Sequence, residues 1–513
     1  MAKISEIMQN FIMSNPNRAI WFMKTMKAEF WEKKGQKMAL EVFHQAAEKV
    51  PAYQDFLKKQ GINSSTIKTL EDFQERVPVM TKNNYLSQYS LNELSQGEIK
   101  KNAFGMCFTS GITGSPASML TSKKSLPPVI NGIMGFFHYL WETRSPSNYT
   151  LCINGFALGP WLASFLSNFV LAKEAERYNF TLVTPGSNPE MMAETLERIG
   201  KSYDQVIVMA YPTILKAFFD EAEKREINWN EFNVKILSAG EPLPINLREY
   251  VLNKIDPQRK DPWRILDFFA TTDASVLGFG TPLAMVIHQI INGDEGLCSS
   301  IFGLKEIPNL FQYNPAAVFV EEVEDKLNVT KTGVIPIVRY QMGDLGKVAS
   351  FSKMISALQK KGYSIENLLK KSGWQKGCFK WPFFIYLGRA DDMVIIYSGA
   401  KVYARNLFNL LERPETKEIK NFKLTTETDD SYNIRLIVYL QLNPGLNFSP
   451  QDLTKMEEKY QKLVHEELLK SNIDYKDAYR LNPNITRPIV KIFSYGEGPF
   501  EKDQSKPKPK MVI

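Results

Sequence analysis

From Cys107 onward the chain alternates short apolar runs with longer amphipathic stretches, and few folds accommodate that texture. Tyr149-Thr-Leu-Cys-Ile153, Phe180-Thr-Leu-Val183, Gln205-Val-Ile-Val-Met209 and Val234-Lys-Ile-Leu-Ser238 have the length and β-branched content of buried strands. Pro189 to Ile199 and Pro212 to Glu223 lie between them with apolar residues at helical spacing and Pro at the first position, where it is tolerated. Strands alternating with helices predict a mostly parallel, twisted sheet flanked by helices.

The two ends of the chain read differently. Ile4, Met8, Phe11 and Ile12, then Ile20, Phe22, Met23 and Met26, then Leu40, Phe43, Ala46 and Ala47 recur at helical spacing, so residues 1–100 are expected to be helical. Near residue 388 the texture changes again. Met393 to Tyr397, Ile434 to Leu440 and Pro488 to Phe493 read as strands, and Tyr403 to Glu412 and Leu453 to Leu469 as helices. We therefore expect a large α/β domain over 1–387 and a small α+β domain over 388–513, with the Gly388-Arg389 step as boundary.

Composition removes several functional classes. The 63 basic and 56 acidic residues leave +7, with both signs interspersed, so no face or arm marks a nucleic-acid binder. Four scattered Cys do not make a disulfide scaffold and suit a reducing compartment, so the expected location is cytoplasmic. The four His have no metal-site spacing, and His288 with Cys298 lacks any CxxC or HExxH beside it. Leu126 to Trp141 and Leu151 to Ala172 are apolar but interrupted by Pro, Asn, Gly and Ser, so they read as buried core elements rather than membrane spans.

The stretch Phe108-Thr-Ser-Gly-Ile-Thr-Gly-Ser-Pro-Ala-Ser118 carries the most chemistry. Thr109, Ser110 and Thr113 supply hydroxyls, and Gly111 and Gly114 let the backbone form an N–H nest for anions. It is not a Walker A loop, which requires GxxxxGK[ST]. Taken alone, a Ser/Thr/Gly turn is more often an ordinary loop than a phosphate cradle.

Its order, Thr-Ser-Gly-x-Thr-Gly-x-Pro, resembles the phosphate loop of the adenylate-forming enzymes, the superfamily of acyl-CoA synthetases. Ser238-Ala-Gly-Glu-Pro242, Asp267-Phe-Phe-Ala-Thr-Thr-Asp273, Arg339-Tyr-Gln-Met-Gly-Asp344 and Gly388-Arg-Ala-Asp-Asp392 resemble its further motifs, in the same order. Val50-Pro-Ala-Tyr53 and Pro78-Val-Met-Thr-Lys82 look like N-terminal segments of the phenylacetate–CoA ligase family. Four places depart from the pattern: Ser115 stands where Lys is usual, Ala270 for Gly, Asp273 for Glu, and Lys506-Pro-Lys-Pro-Lys510 lacks the Gly-Lys context usual for the catalytic lysine.

The resemblance implies a large domain with a mobile small lid, and an AMP-forming acid–thiol ligase that uses ATP, Mg²⁺ and coenzyme A. Its substrate would be a small-molecule carboxylic acid, activated as acyl-adenylate; a carrier-protein thiol, an amine or a protein side chain is the alternative acceptor. A non-catalytic nucleotide-binding homologue is the third reading. A homodimer is compatible with all three. By the same resemblance Thr109, Ser110, Gly111, Thr113 and Gly114 would cradle phosphates, and Gly240 and Glu241 would line the adenine on which Phe269 stacks. Asp344 would accept from the ribose, Thr272 would bond the α-phosphate, Asp273 would hold Mg²⁺, and Arg389 would reach the ribose or phosphate. Asp391 would be the hinge and Lys510 the catalytic lysine. Lys506 and Lys508 flank or lie between prolines, whereas Lys510 opens Lys-Met-Val-Ile513, whose apolar residues can anchor it. Asn154, Phe156, Gly159 and Trp161, following a central strand, either shape the carboxylate pocket or belong to the core.

Overall fold

A computed structural model describes residues 15–108, 118–122, 126–159, 161–240, 243, 245–261, 263–305, 307–371, 379–389, 393–411, 413–503 and 511–512. An antiparallel pair, β1 (Ala103–Phe108) and β2 (Ser118–Ser122), precedes the main sheet. The sheet has eleven strands in the order β10-β11-β12-β13-β9-β8-β7-β6-β5-β3-β4.

One half is parallel: β3 (Thr150–Asn154), β4 (Phe180–Val183), β5 (Gln205–Ala210), β6 (Val234–Ala239) and β7 (Ile265–Thr271). All residues of β3, β5 and β6 are buried, which explains why they read as continuous apolar runs. The connecting helices Pro189–Ile199 and Pro212–Lys224 match the amphipathic stretches in the sequence.

The other half is antiparallel: β8 (Ser275–Phe279), β9 (Phe311–Gln312), β10 (Phe319–Val323), β11 (Lys326–Lys331), β12 (Ile337–Ala349) and β13 (Phe383–Arg389). The three residues between β7 and β8 are too few for a parallel crossover, so the chain must turn back on itself there. The parallel expectation thus describes the first half of the sheet.

Helices Pro16–Thr25 and Ala28–Lys49 dock onto this body, the first on the helix Leu126–Trp141 and the second on β10, β11 and β12. A later helix of this N-terminal segment, Leu70–Arg76, is fastened by Arg339 of β12. Its guanidinium donates to Glu321 at 2.7 Å and to the backbone carbonyls of Phe73, Gln74 and Val77. Arg339 therefore ties the helical segment to the sheet, although the motif that contains it also supplies Asp344.

Beyond Arg389 the chain leaves the large sheet. β14 (Met393–Ile396) and β15 (Ala400–Tyr403) form a hairpin. β16 (Ile419–Thr428), β17 (Ile434–Leu442) and β18 (Ile489–Phe493) form a small mixed sheet backed by the helix Pro450–Ser471. The helix expected over Tyr403–Glu412 is a 3₁₀ turn, Ala404–Leu407, followed by a single α turn, Phe408–Leu411. The expected α/β body with an α+β C-terminal part is the architecture observed. No helix among the described residues is long and apolar enough to cross a membrane.

Candidate active site

In the parallel half the chain moves outward in one direction from β3 to β4, and in the other from β5 to β6 and β7. Strand order therefore reverses between β3 and β5, and the crevice at the carboxyl ends of such strands is where open α/β sheets bind ligands. A cavity of about 980 Å³ lies there. Its wall takes Phe156 after β3, Met209 and Tyr211 around the end of β5, Ala239 and Gly240 at the end of β6, and Phe268 to Asp273 from β7 and its turn.

Segments far apart in sequence converge on this wall. Gly240, Phe269, Thr272, Asp273 and Asp344 all line it. Gly240 has φ of +86°, and a Cβ there would fall 2.7 Å from the Tyr211 ring, so both conformation and space require glycine. Phe269 is half-buried against Phe311, Phe384 and Tyr386, with ring centroids 5.2–5.6 Å away, and it lines the cavity. Phe268 is the more buried of the pair and packs edge-on against Phe279.

The β7–β8 turn carries Thr272 and Asp273, and three contacts hold it. The Thr271 hydroxyl accepts the Ala274 N–H at 3.1 Å, the Lys331 ammonium donates to the Ala274 carbonyl at 2.8 Å, and the Tyr340 phenol donates to Asp273 Oδ2 at 2.9 Å. Ser275, closing the turn, sits at φ +62°, a strained conformation for a residue with a Cβ. Burial holds the Lys331 amine down at about 8. Sequence reasoning missed Lys331 and Tyr340; Tyr340 sits inside a quoted motif, while nothing local marks Lys331.

Asp344 is buried in β12, and its register partner across β12–β13 is Arg389, so two motifs 45 positions apart meet on neighbouring strands. Only the backbone of Arg389 is described. Thr109, Ser110, Gly111, Thr113, Gly114, Glu241, Asp391 and Lys510 lie outside the described residues. Met511 and Val512 join β16: the Leu424 N–H donates to the Met511 carbonyl at 2.8 Å, and Val512 bridges Leu424.

Of the residues read as shaping a carboxylate pocket, Phe156 and Trp161 line the cavity. Asn154 stands behind the wall, fully buried, donating to Ser167 and Asn168 at 2.9 and 2.6 Å. Thr81 and Lys82 of the Pro78–Lys82 segment also reach the wall, because the Gln341 N–H of β12 donates to the Met80 carbonyl at 2.9 Å.

The hairpin β14–β15 and the helix Ile473–Leu481 complete the enclosure through Ser398, Lys401, Asp474 and Arg480. The Ser398 N–H donates to the Thr213 hydroxyl at 2.7 Å, which seats the hairpin on the parallel half. Burial raises the Asp474 carboxyl above its ordinary range.

No group of three or more potential metal-ligating side chains exists among the described residues. His288 is buried with its Nε2 2.8 Å from the Ile307 carbonyl, a structural role. A single carboxylate beside a hydroxyl, Asp273 next to Thr272, does suit Mg²⁺, which keeps most of its waters and takes its remaining ligands from substrate phosphates. Chemically, the cavity combines an aromatic face, a buried carboxylate, a hydroxyl–carboxylate turn and a large apolar surface.

No family model and no curated protein matches the sequence. Solved structures do match in three dimensions. The chain resembles 2-hydroxyisobutyryl-CoA ligase in complex with 2-HIB-AMP and CoA in the thioesterification state: TM-score 0.60 and 14% identity, over 96% of this chain and 91% of that one. An open conformation of the same ligase matches at TM-score 0.53 and 15% identity, over 96% and 93% of the two chains. The likeness is one of fold, shared with that CoA ligase in both conformations.

Proposed function

We propose that this chain activates a carboxylic acid with ATP and passes the acyl group to a thiol, as an aryl- or acyl-CoA ligase of the phenylacetate–CoA ligase type. One observation carries the reading: Gly240, Phe269, Thr272–Asp273 and Asp344, from three separate motifs, meet on one cavity at the strand-order reversal.

In the first step a carboxylate oxygen attacks the α-phosphorus of ATP, the bond to pyrophosphate breaks, and acyl-adenylate forms. In the second, a thiol attacks the acyl carbon, AMP departs with the bonding electrons, and the thiol proton passes to solvent. Phe269 would stack on the adenine, whose edge would be lined by Gly240 and, by the motif resemblance, Glu241. Asp344 accepts from the ribose hydroxyls, and Arg389 on the neighbouring strand reaches the ribose or phosphate. The Thr272 hydroxyl donates to the α-phosphate. The loop of Thr109, Ser110, Gly111, Thr113 and Gly114 supplies donors to the outer phosphates. Asp273 would hold Mg²⁺, which when bound offsets charge on the phosphates. Donors preorganised toward developing charge, Lys510 among them, are the largest contribution expected of such a site.

Division at the Gly388–Arg389 step into a body (1–387) and a lid (388–513) belongs to the same proposal, with Asp391 as pivot. Closure by the hinge would exclude water in one step and admit the thiol in the next. Acid-dependent, Mg²⁺-dependent ATP–pyrophosphate exchange tests the first step. Acyl-CoA formation, read by mass with and without coenzyme A, tests the second. Absence of exchange across aryl, aliphatic and amino acids would overturn the reading.

A further inference from the structure

Part of the cavity wall is apolar and comes from two helices. The helix Leu162–Ala175 starts at the carboxyl edge of the parallel strands and contributes Leu162, Leu166, Val170 and Leu171 to the wall. The first three are spaced by four, so they form one stripe along the helix. At 1.5 Å per residue, the stripe from 162 to 170 spans about 12 Å along the helix axis. Met134 and Phe137, one turn apart on the helix Leu126–Trp141, also line the cavity, and both are fully buried. No charged side chain of either helix, among the described residues, lines the cavity. The hydroxyl in the stripe, Ser167, accepts from Asn154 at 2.9 Å and donates to the Ser164 carbonyl at 3.3 Å, so it has no donor left for a ligand.

Resting on the proposed adenylation site, we infer that the acid is an unbranched aliphatic carboxylic acid of about ten carbons, bound with its alkyl chain along the Leu162–Val170 stripe. An extended chain advances about 1.2 Å per bond, a third of the 3.3–3.6 Å reach of one extended residue, so about ten bonds span the stripe. A single aromatic ring would fill only the first helical turn and leave the Val170–Leu171 end without contact. A polar tail end would be desolvated with no partner, a penalty that apolar pockets impose on polar groups.

The test is ATP–pyrophosphate exchange by the full chain with straight-chain acids from acetate to hexadecanoate, alongside benzoate, phenylacetate and decanedioate. The expected kcat/KM rises about fourfold per added methylene to a maximum near ten carbons, following the transfer free energy of a buried CH₂. Decanedioate should fall at least a hundredfold below decanoate. Val170→Trp should move the maximum to shorter acids and Val170→Ala to longer ones, so the two variants check each other if the larger side chain disturbs folding. Exchange that is fastest with benzoate, phenylacetate or acetate overturns this inference while leaving the adenylation site intact. Exchange with none of the acids overturns the site reading itself. A maximum that ignores both Val170 variants overturns the placement of the chain.

Discussion

Tyr340 donates its phenol to Asp273 Oδ2 across 2.9 Å, linking a residue deep in β12 to the turn between β7 and β8. Tyr340 is only 2% exposed, so its ring is fixed by the core and the hydroxyl sets the rotamer of the carboxylate. A hydrogen bond to a charged group contributes about 1.5–3 kcal/mol. Tyr340→Phe keeps the ring and removes that restraint. The Mg²⁺ concentration for half-maximal exchange should rise about tenfold with little change in melting temperature. An unchanged Mg²⁺ dependence would detach Asp273 from the metal.

Asp344→Ala should weaken ATP binding by roughly ten- to a hundredfold, the loss of a carboxylate accepting two hydroxyls. Calorimetric titration with ATP reads the affinity, and circular dichroism checks that the chain still folds. Equal affinity in the two proteins would make Asp344 a purely structural residue of β12.

Gly240→Ala meets two obstacles, a left-handed φ of +86° and the Tyr211 ring 2.7 Å from the new methyl. Backbone strain of this kind costs about 1–3 kcal/mol. Removing the ring as well, in Gly240→Ala/Tyr211→Ala, relieves the collision but leaves the φ. The double variant should therefore recover only part of the lost stability and nucleotide affinity. Full recovery would show that the collision was the whole effect.

Lys331 gives a pH signature. Burial brings its folded-state pKa down to about 8, from 10.5 for a lysine in the unfolded chain. Between those values the unfolded chain binds more protons, so this group's contribution to stability rises with pH from about 8 to 10.5. Lys331→Met removes that term. The melting temperature of the parent minus that of the variant should increase across this window and be flat below it. A flat difference throughout would mean that the amine reaches solvent.

Lys510→Ala should slow adenylation by about a hundredfold or more, as expected for loss of one transition-state donor, while transfer from preformed acyl-adenylate stays near normal. Single Ala substitutions at Lys506 and Lys508 are the comparison. If Lys510→Ala adenylates at the parental rate, the role passes to whichever neighbour shows the selective defect.

The legible parts of this fold were those with a strong period or a complete burial pattern. β3, β4, β5 and β6 appear in the sequence within a residue of their observed limits, because buried parallel strands leave uninterrupted apolar runs. β9 is two residues long and β12 carries Arg339, Gln341, Asp344 and Lys347, so neither has a local signature. Gly240, Phe269, Thr272, Asp273 and Asp344 were found through motif order, and they line one cavity. Lys331 and Tyr211 act through contacts made only after the sheet forms, Lys331 on a carbonyl 57 positions away. Tyr403–Glu412 reads as one helix by periodicity, yet the Asn406 side chain accepts the Tyr403 N–H and donates to the Ser471 carbonyl, breaking the run into two short turns.

The grip of Arg339 on the backbone of residues 73 to 77 decides how this chain can be shortened. Three carbonyls from the helical segment and the Glu321 carboxylate enclose a guanidinium that always carries its charge. Cutting the chain after residue 77 would remove the carbonyls and leave the cation beside one acid in the interior, a defect that costs several kcal/mol. The helix Leu70–Arg76 is thus not detachable from the sheet. A deletion series should keep soluble protein only while Phe73, Gln74 and Val77 are retained, and a fragment nicked just after Val77 should stay bound until the core itself is denatured.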